Sequence, residues 1–248
     1  NSFIMKSATV LNTEISVTSV DEVSKLLNIE KNLSVAVCNV NTVVTCYRNK
    51  SLNKIINSFD IKCPDGFPIA KSSELLYKNQ QKRVDGYNLF YETIKKGLEN
   101  NTSHYFFGNT DNVTSKMISN LKTEFPNINI LGYKCPPFLN VDELTNDEYI
   151  NDLKSKNPDI IWISLGFPKQ EKFIKKLKNE INLNSNFIGI GAVFEWVAGT
   201  KVKAPEILAN IGLEWIFRLL QEPKRLYKRY FIDNSLFIIY FIKQLKRK

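Results

Sequence analysis

The chain has 248 residues, enough to bury a large core, and 43% of them are hydrophobic, the composition of a folded globular protein. A net charge of +9 from 34 Lys and Arg against 25 Asp and Glu points to an anionic partner. One histidine and four scattered cysteines exclude a His-rich metal site, and a Ser-His-Asp triad would have to use His104 itself.

The opening, Asn1–Val10, lacks a basic start leading into an apolar run, so no leader is expected there. Ser34–Val40 reads as a strand, and Thr42–Phe59 follows with helical spacing. His104–Phe107, Ile128–Tyr133, Ile160–Leu165 and Phe187–Ile190 are further apolar, β-branched or aromatic runs of strand length. Helical stretches fall between them near Tyr87–Leu98, Val113–Phe125, Asp147–Lys156 and Gln170–Asn182. Strands alternating with helices predict an α/β fold with a parallel, Rossmann-like sheet flanked by helices. His104, at the start of an apolar run, reads as structural. Cys38, Cys46, Cys63 and Cys135 show no C-x-x-C spacing, which suits a reduced, cytosolic protein.

Ligands of such sheets bind outside the carboxyl ends of the strands. The segments expected there are Asn39 and Asn41, then Gly108-Asn109-Thr110-Asp111, then Gly166-Phe167-Pro168-Lys169-Gln170-Glu171, then Gly189-Ile190-Gly191-Ala192. Glycine lets a backbone approach a ligand, and a helix start offers N–H groups to phosphate. Singly each segment is an ordinary turn; together they suggest a nucleotide-sized pocket. None is G-x-G-x-x-G or a P-loop, which leaves a standard dinucleotide or ATP site unsupported. Pro64-Asp65-Gly66 is a good turn sequence and equally a carboxylate at a loop tip, suited to act as general base beside a glycine. Arg83 lies downstream, within reach of a partner carboxylate or a phosphate. No D-x-D occurs, so a metal bridging a sugar nucleotide's diphosphate lacks its usual clustered carboxylates.

The last fifth is different. From Ala198 to Lys248 eleven cations face four carboxylates, a net +7, and the rest of the chain is close to neutral. Residues 212–230, G-L-E-W-I-F-R-L-L-Q-E-P-K-R-L-Y-K-R-Y, read as one helix that interleaves aromatics with Arg218, Lys224, Arg225, Lys228 and Arg229. Such a segment fits a membrane interface or a diphosphate. The longest apolar run, Leu236–Ile242, is far short of the roughly 20 residues that span a bilayer. The composition shift divides the chain into a 1–197 body and a 198–248 basic helical appendage.

Asn41, P-D-G at 64–66, R-V-D-G at 83–86, G-N-T at 108–110, G-F-P-K-Q-E at 166–171, G-I-G-A-V-F-E-W-V-A-G at 189–199 and the tail G-L-E-W…Q-E-P-K-R-L occur in one order over Asn39–Tyr230. In this the chain resembles the WecG/TagA/CpsF glycosyltransferases of bacterial surface-polymer synthesis. The resemblance implies a metal-independent, inverting transferase without a cofactor. It would use a UDP-sugar, N-acetylmannosamine in type, and a polyprenyl-diphosphate-linked GlcNAc-type acceptor at the inner face of the plasma membrane. Asp65 matches the family's proposed base. Asn39, Asn41, Arg83 and Gln170 match pocket positions, Glu195 falls near the nucleotide, and Gly66, Gly108, Asn109, Gly166 and Gly191, from the turn segments above, are expected in the same substrate pocket. Arg218, Arg225 and Lys228 match tail cations that fold over the active site at the membrane, which gives Arg218 and Arg225 a catalytic role and Lys228, with Arg229 beside it, a substrate-binding one. Asn39, Asn88, Glu195 and Lys228 depart from the family's more common threonine, aspartate, aspartate and arginine, and the Asn41–Pro64 segment is slightly short. Another UDP-hexose donor therefore stays open, as do a homo-oligomer, a basic-tailed nucleic-acid-binding protein and a non-catalytic membrane adaptor. No nucleic-acid reading module is visible, which disfavours the third of these.

Overall fold

The computed structural model describes residues 5–181 and 183–247. Asn1–Ile4, Asn182 and Lys248, which enter the readings above, lie outside the described residues. In chain order the elements are β1 (Ser7–Val10), β2 (Thr13–Ser16), α1 (Val20–Ile29), β3 (Ser34–Cys38), α2 (Val40–Arg48), α3 (Lys50–Asn57) and β4 (Ile61–Pro64). Then come α4 (Phe67–Tyr77), α5 (Gly86–Gly97), β5 (Ser103–Gly108), α6 (Asp111–Glu124), β6 (Asn129–Lys134), α7 (Val141–Leu144), α8 (Asp147–Lys156) and β7 (Ile160–Ser164). The chain ends with α9 (Lys169–Glu180), β8 (Asn186–Gly189), α10 (Val193–Val197), α11 (Glu206–Asn210), α12 (Glu214–Gln221) and α13 (Pro223–Leu245).

The expected α/β class holds. Six strands run in the order β4-β3-β8-β7-β5-β6, and the pairs β3–β8, β8–β7, β7–β5 and β5–β6 are parallel. Backbone contacts divide the described residues into two compact units, one drawn from residues 5–19, 37–85 and 203–247, the other from residues 20–36, 86–181 and 183–202.

The second unit holds most of the sheet. Every residue of β5 and β7 is buried, which is why Y-F-F and I-I-W-I read as unbroken apolar runs: helices cover both faces of a parallel sheet. Trp162 on β7 meets Phe90 of α5 edge-on at 4.8 Å, a geometry worth about 0.5–1.5 kcal/mol beyond area burial. His104 is buried there and its Nδ1 accepts a 3.2 Å hydrogen bond from Trp162 Nε1. Burial holds its pKa down at about 4, so it is a neutral structural residue.

In the first unit β1 and β2 form a two-residue hairpin whose turn residues Leu11 and Asn12 both have positive φ, the type I′ pattern that matches strand twist. The hairpin anchors the end of α13. Gln244 Oε1 accepts from Leu11 N at 3.0 Å, and Gln244 Nε2 donates to Thr9 O at 2.9 Å. Further up α13, Tyr240 packs on Tyr47 of α2 at 4.7 Å, and Phe237 and Leu226 are buried. The basic tail is thereby fixed to this unit by specific packing.

Two expected helices are each split in two. Thr42–Phe59 becomes α2 and α3 because Asn49, in an extended conformation, ends one and caps the next through its side chain to Leu52 N. Residues 212–230 become α12 and α13 because Pro223 has no N–H and drives Glu222 out of helical geometry, to φ −132° and ψ 59°. No helix among the described residues is long and apolar enough to cross a membrane.

Candidate functional site

The first unit carries a pocket built from three places in the sequence. Asn39 and Asn41 come from the start of α2, Asp65 and Gly66 from the turn after β4, and Arg218, Arg229 and Asp233 from the tail helices. Asn39 earns its place first as a cap: its side-chain oxygen accepts from Thr42 N at 3.2 Å. A threonine would perform the same capping, so this departure from the family leaves the local structure intact. Asn41 Nδ2 donates to Asp233 Oδ2 at 2.7 Å, tying α2 to α13.

The Pro64-Asp65-Gly66 turn is held from both sides. Asp65 N donates to Cys38 O at 2.9 Å, and Val84 N donates to Pro64 O at 2.9 Å. Gly66 has φ +86°, which an L side chain rarely adopts, and α4 starts on the next residue. Asp65 is therefore presented at a fixed tip, half-buried, on the pocket wall.

Its electrostatic setting is unusual. Burial pushes the Asp65 carboxyl up to about 7; the negative charges of Glu214 and Asp85 add to this, and Arg83 and Arg218 oppose it. A carboxyl near 7 is poised to take a proton at neutral pH. Arg83, its side chain only 9% exposed, is engaged by three carboxylates: Nη1 donates to Glu214 at 2.9 Å, Nη2 donates to Glu206 at 2.8 Å, and Asp85 lies at 3.5 Å. Asp85 is buried with Arg83 and Glu214 largely so, whereas the Glu206 side chain is 49% exposed. Arg229 is held below its usual pKa, mainly by burial, with Arg218 and Arg225 adding repulsion. Its Nε has no hydrogen-bond partner. Two arginines, one of them crowded by like charge, thus line the pocket that holds Asp65, an arrangement suited to an anionic group.

The second unit carries a separate cluster at the carboxyl ends of β5, β7 and β8. Gly108 has φ +105°, and a side chain there would meet Ser164 O at 2.4 Å, so only glycine fits. Asn109 N donates to Ser164 O at 2.9 Å, Asn109 Nδ2 donates to Ser164 Oγ at 3.2 Å, and Ser164 Oγ donates to Gly191 O at 2.7 Å. Gly166 has φ +76° with open space around it. Gln170 at the start of α9 packs on Gly189; its Nε2 donates to Glu171 at 2.9 Å, and its Oε1 is buried without a partner. Burial pushes Glu171 up to about 7. Glu195 on α10 pairs with Lys201 at 2.9 Å.

Of the residues singled out in the sequence, Asn39, Asn41, Asp65, Gly66, Arg218 and Arg229 line one pocket. Arg83 stands among the carboxylates of α11 and α12, two of whose residues it binds. Arg225 and Lys228 do not line that pocket; both are exposed, and Arg225 pairs with Glu222. Gly108, Asn109, Gly166, Gln170, Gly191 and Glu195 lie in the second unit. Sequence reasoning missed Glu214, Trp215, Tyr230 and Asp233. The only signal available for them was the E-W pair inside the tail motif.

Comparison with known proteins agrees in kind. The model of the glycosyl transferase WecG/TagA/CpsF family matches residues 8–248. A Bacillus spizizenii protein named N-acetylglucosaminyldiphosphoundecaprenol N-acetyl-beta-D-mannosaminyltransferase is 30% identical over 180 residues, 72% of this chain and 67% of the relative. Proteins of the same name from Bacillus subtilis and Staphylococcus aureus are 26% identical over 206 residues and 27% over 217. They cover 79% and 88% of this chain and 75% and 82% of their own lengths.

Proposed function

The chain belongs to the WecG/TagA/CpsF glycosyltransferase family, and from that premise we propose that it transfers an N-acetylmannosamine-type sugar from UDP to a polyprenyl-diphosphate-linked GlcNAc-type acceptor. The observation that carries this reading is Asp65, a carboxyl held near neutral pKa in a pocket also lined by Arg218 and Arg229. The Asp65 carboxylate takes the proton of the acceptor hydroxyl. The freed oxygen attacks the anomeric carbon of the donor, the bond from that carbon to the diphosphate oxygen breaks, and UDP departs with the electron pair. Attack opposite the leaving group inverts the anomeric centre, in keeping with the beta linkage in the relatives' names.

Arg218 in the pocket, joined by Arg225 once it leaves its Glu222 partner, neutralises the charge that develops on UDP, so no metal is required. Asn39, Asn41, Arg83, Lys228 and Arg229 bind substrate in the first unit. In the second, Gly108, Asn109, Gly166, Gln170, Gly191 and Glu195 bind the nucleotide. The basic segment 198–248 closes the site and rests on the inner face of the plasma membrane. Exposed Ile216, Leu220, Ile238, Ile239 and Ile242 suit the headgroup boundary, and the neighbouring cations suit anionic lipid. The test is a panel of UDP-sugars assayed against a short-chain polyprenyl-diphosphate-GlcNAc analogue. Transfer from UDP-N-acetylmannosamine supports the reading. Transfer only from another UDP-hexose would reassign the donor, and no transfer from any would remove the function.

A further inference from the structure

The tail helices border a second, half-open cavity of about 220 Å³, lined by Trp215 and Leu219 of α12 and by Tyr227, Tyr230, Phe231, Asn234 and Ser235 of α13. The lining follows from helical spacing. Residues 227, 230, 231 and 234 recur at three- and four-residue steps on one side of α13, and 215 and 219 are one turn apart on α12. A cavity of this size exceeds the ~15 Å³ that one water needs by more than tenfold, and its lining is almost wholly apolar. Tyr227 and Phe231 stack at 6.1 Å with rings 20° apart, yet are 63% and 68% exposed. Aromatic surface of this extent left facing solvent marks a binding surface more often than an accident of packing.

What covers it is indicated by its neighbour. Trp215, Tyr230 and Asn234 line both this groove and the Asp65 pocket, and Trp215 meets Tyr230 edge-on at 6.1 Å at their junction. On one side of that junction stand Arg218 and Arg229; on the other the surface is apolar. A ligand that fits both must join an anionic group directly to an apolar chain. We infer that the groove between α12 and α13 binds the first isoprene units of the acceptor's polyprenyl chain, so that the enzyme itself reads the lipid next to the diphosphate. This rests on the acceptor class proposed above. It differs from membrane adsorption, because a groove that opens on the catalytic pocket acts on a single acceptor in free solution.

The experiment uses the full chain without membranes or detergent. Two water-soluble acceptors are compared, GlcNAc-diphosphate carrying a farnesyl-length isoprenoid and GlcNAc-diphosphate capped with methyl. The readout is the ratio of their kcat/KM values. The wild type should favour the isoprenoid acceptor by roughly tenfold or more, through KM, the scale of one or two lost aromatic–apolar contacts. Tyr227→Ser and Phe231→Ser, at exposed positions where folding is little affected, should each pull the ratio towards one. Leu75→Ser, which removes another exposed apolar residue, from α4, should keep the wild-type ratio. A wild-type ratio near one, or groove variants that keep the wild-type preference, would overturn the inference. So would an equal preference for a straight alkyl chain that the groove variants do not alter. Failure of the wild type on both acceptors would instead sink the transferase reading on which the groove depends.

Discussion

Glu214 lines the same pocket as Asp65 and holds the Asp65 proton on by like-charge repulsion. Glu214→Gln removes that charge but keeps an oxygen to accept from Arg83 Nη1. The Asp65 pKa should then fall; a drop of roughly one unit corresponds to about 1.4 kcal/mol of like-charge repulsion removed. Two effects share that sign, since Arg83 also loses one of its three counter-charges and its cation opposes protonation of Asp65 more strongly. With Asp65 near 7, about a tenth of the enzyme carries the active carboxylate at pH 6; with a value near 6, about half does. The variant should therefore turn over about fivefold faster than expected at pH 6, relative to its own plateau, and match its plateau above pH 8. The assay is kcat/KM from pH 5 to 9 on a soluble acceptor. An acid limb that stays in place or moves to higher pH would refute the assignment of Glu214 and of Asp65 as the titrating group.

Other outcomes follow from the same charges. Because the folded state binds the Asp65 proton more tightly than the unfolded chain, its stabilising contribution is full below about pH 4 and is lost as pH rises through about 7. Asp65→Asn should thus raise Tm at pH 8 by a few degrees, or about 1–2 kcal/mol after allowing for solvent screening, and scanning calorimetry at pH 8 would show it. Turnover should survive excess EDTA; loss that magnesium or manganese restores would show that arginines do not stabilise the leaving group. Arg218→Glu should lower kcat on a soluble acceptor by about 10²-fold or more, a role that membrane tethering cannot replace. A normal kcat there would reduce Arg218 to a surface cation.

Legibility in the sequence followed the range of the forces involved. β5 and β7 were visible because strands buried on both faces are mostly apolar, and Tyr105–Phe107 and Ile160–Ile163 form such runs. β4 was not, because Ile61–Pro64 is four residues with a buried lysine among them. The breaks at Asn49 and Glu222 depended on single residues inside otherwise helical spacing. In the candidate site, Asp65 and Gly66 stood out because turn chemistry is local, and Asn39 because it directly follows a readable strand. Glu214 and Asp233 did not, because their partners Arg83 and Asn41 lie 131 and 192 residues away. Nothing short-range marks a carboxylate that will face a distant arginine.

The most direct measurement is sugar transfer by the wild type and by Asp65→Asn, with UDP-N-acetylmannosamine, a soluble polyprenyl-diphosphate-GlcNAc analogue and EDTA throughout. The wild type should form a β-linked lipid disaccharide, and the variant should lose ~10²–10⁴ in kcat, the usual cost of removing a general base, while still binding UDP. Wild-type turnover by Asp65→Asn, or retention of the donor's anomeric configuration in the product, would contradict the account.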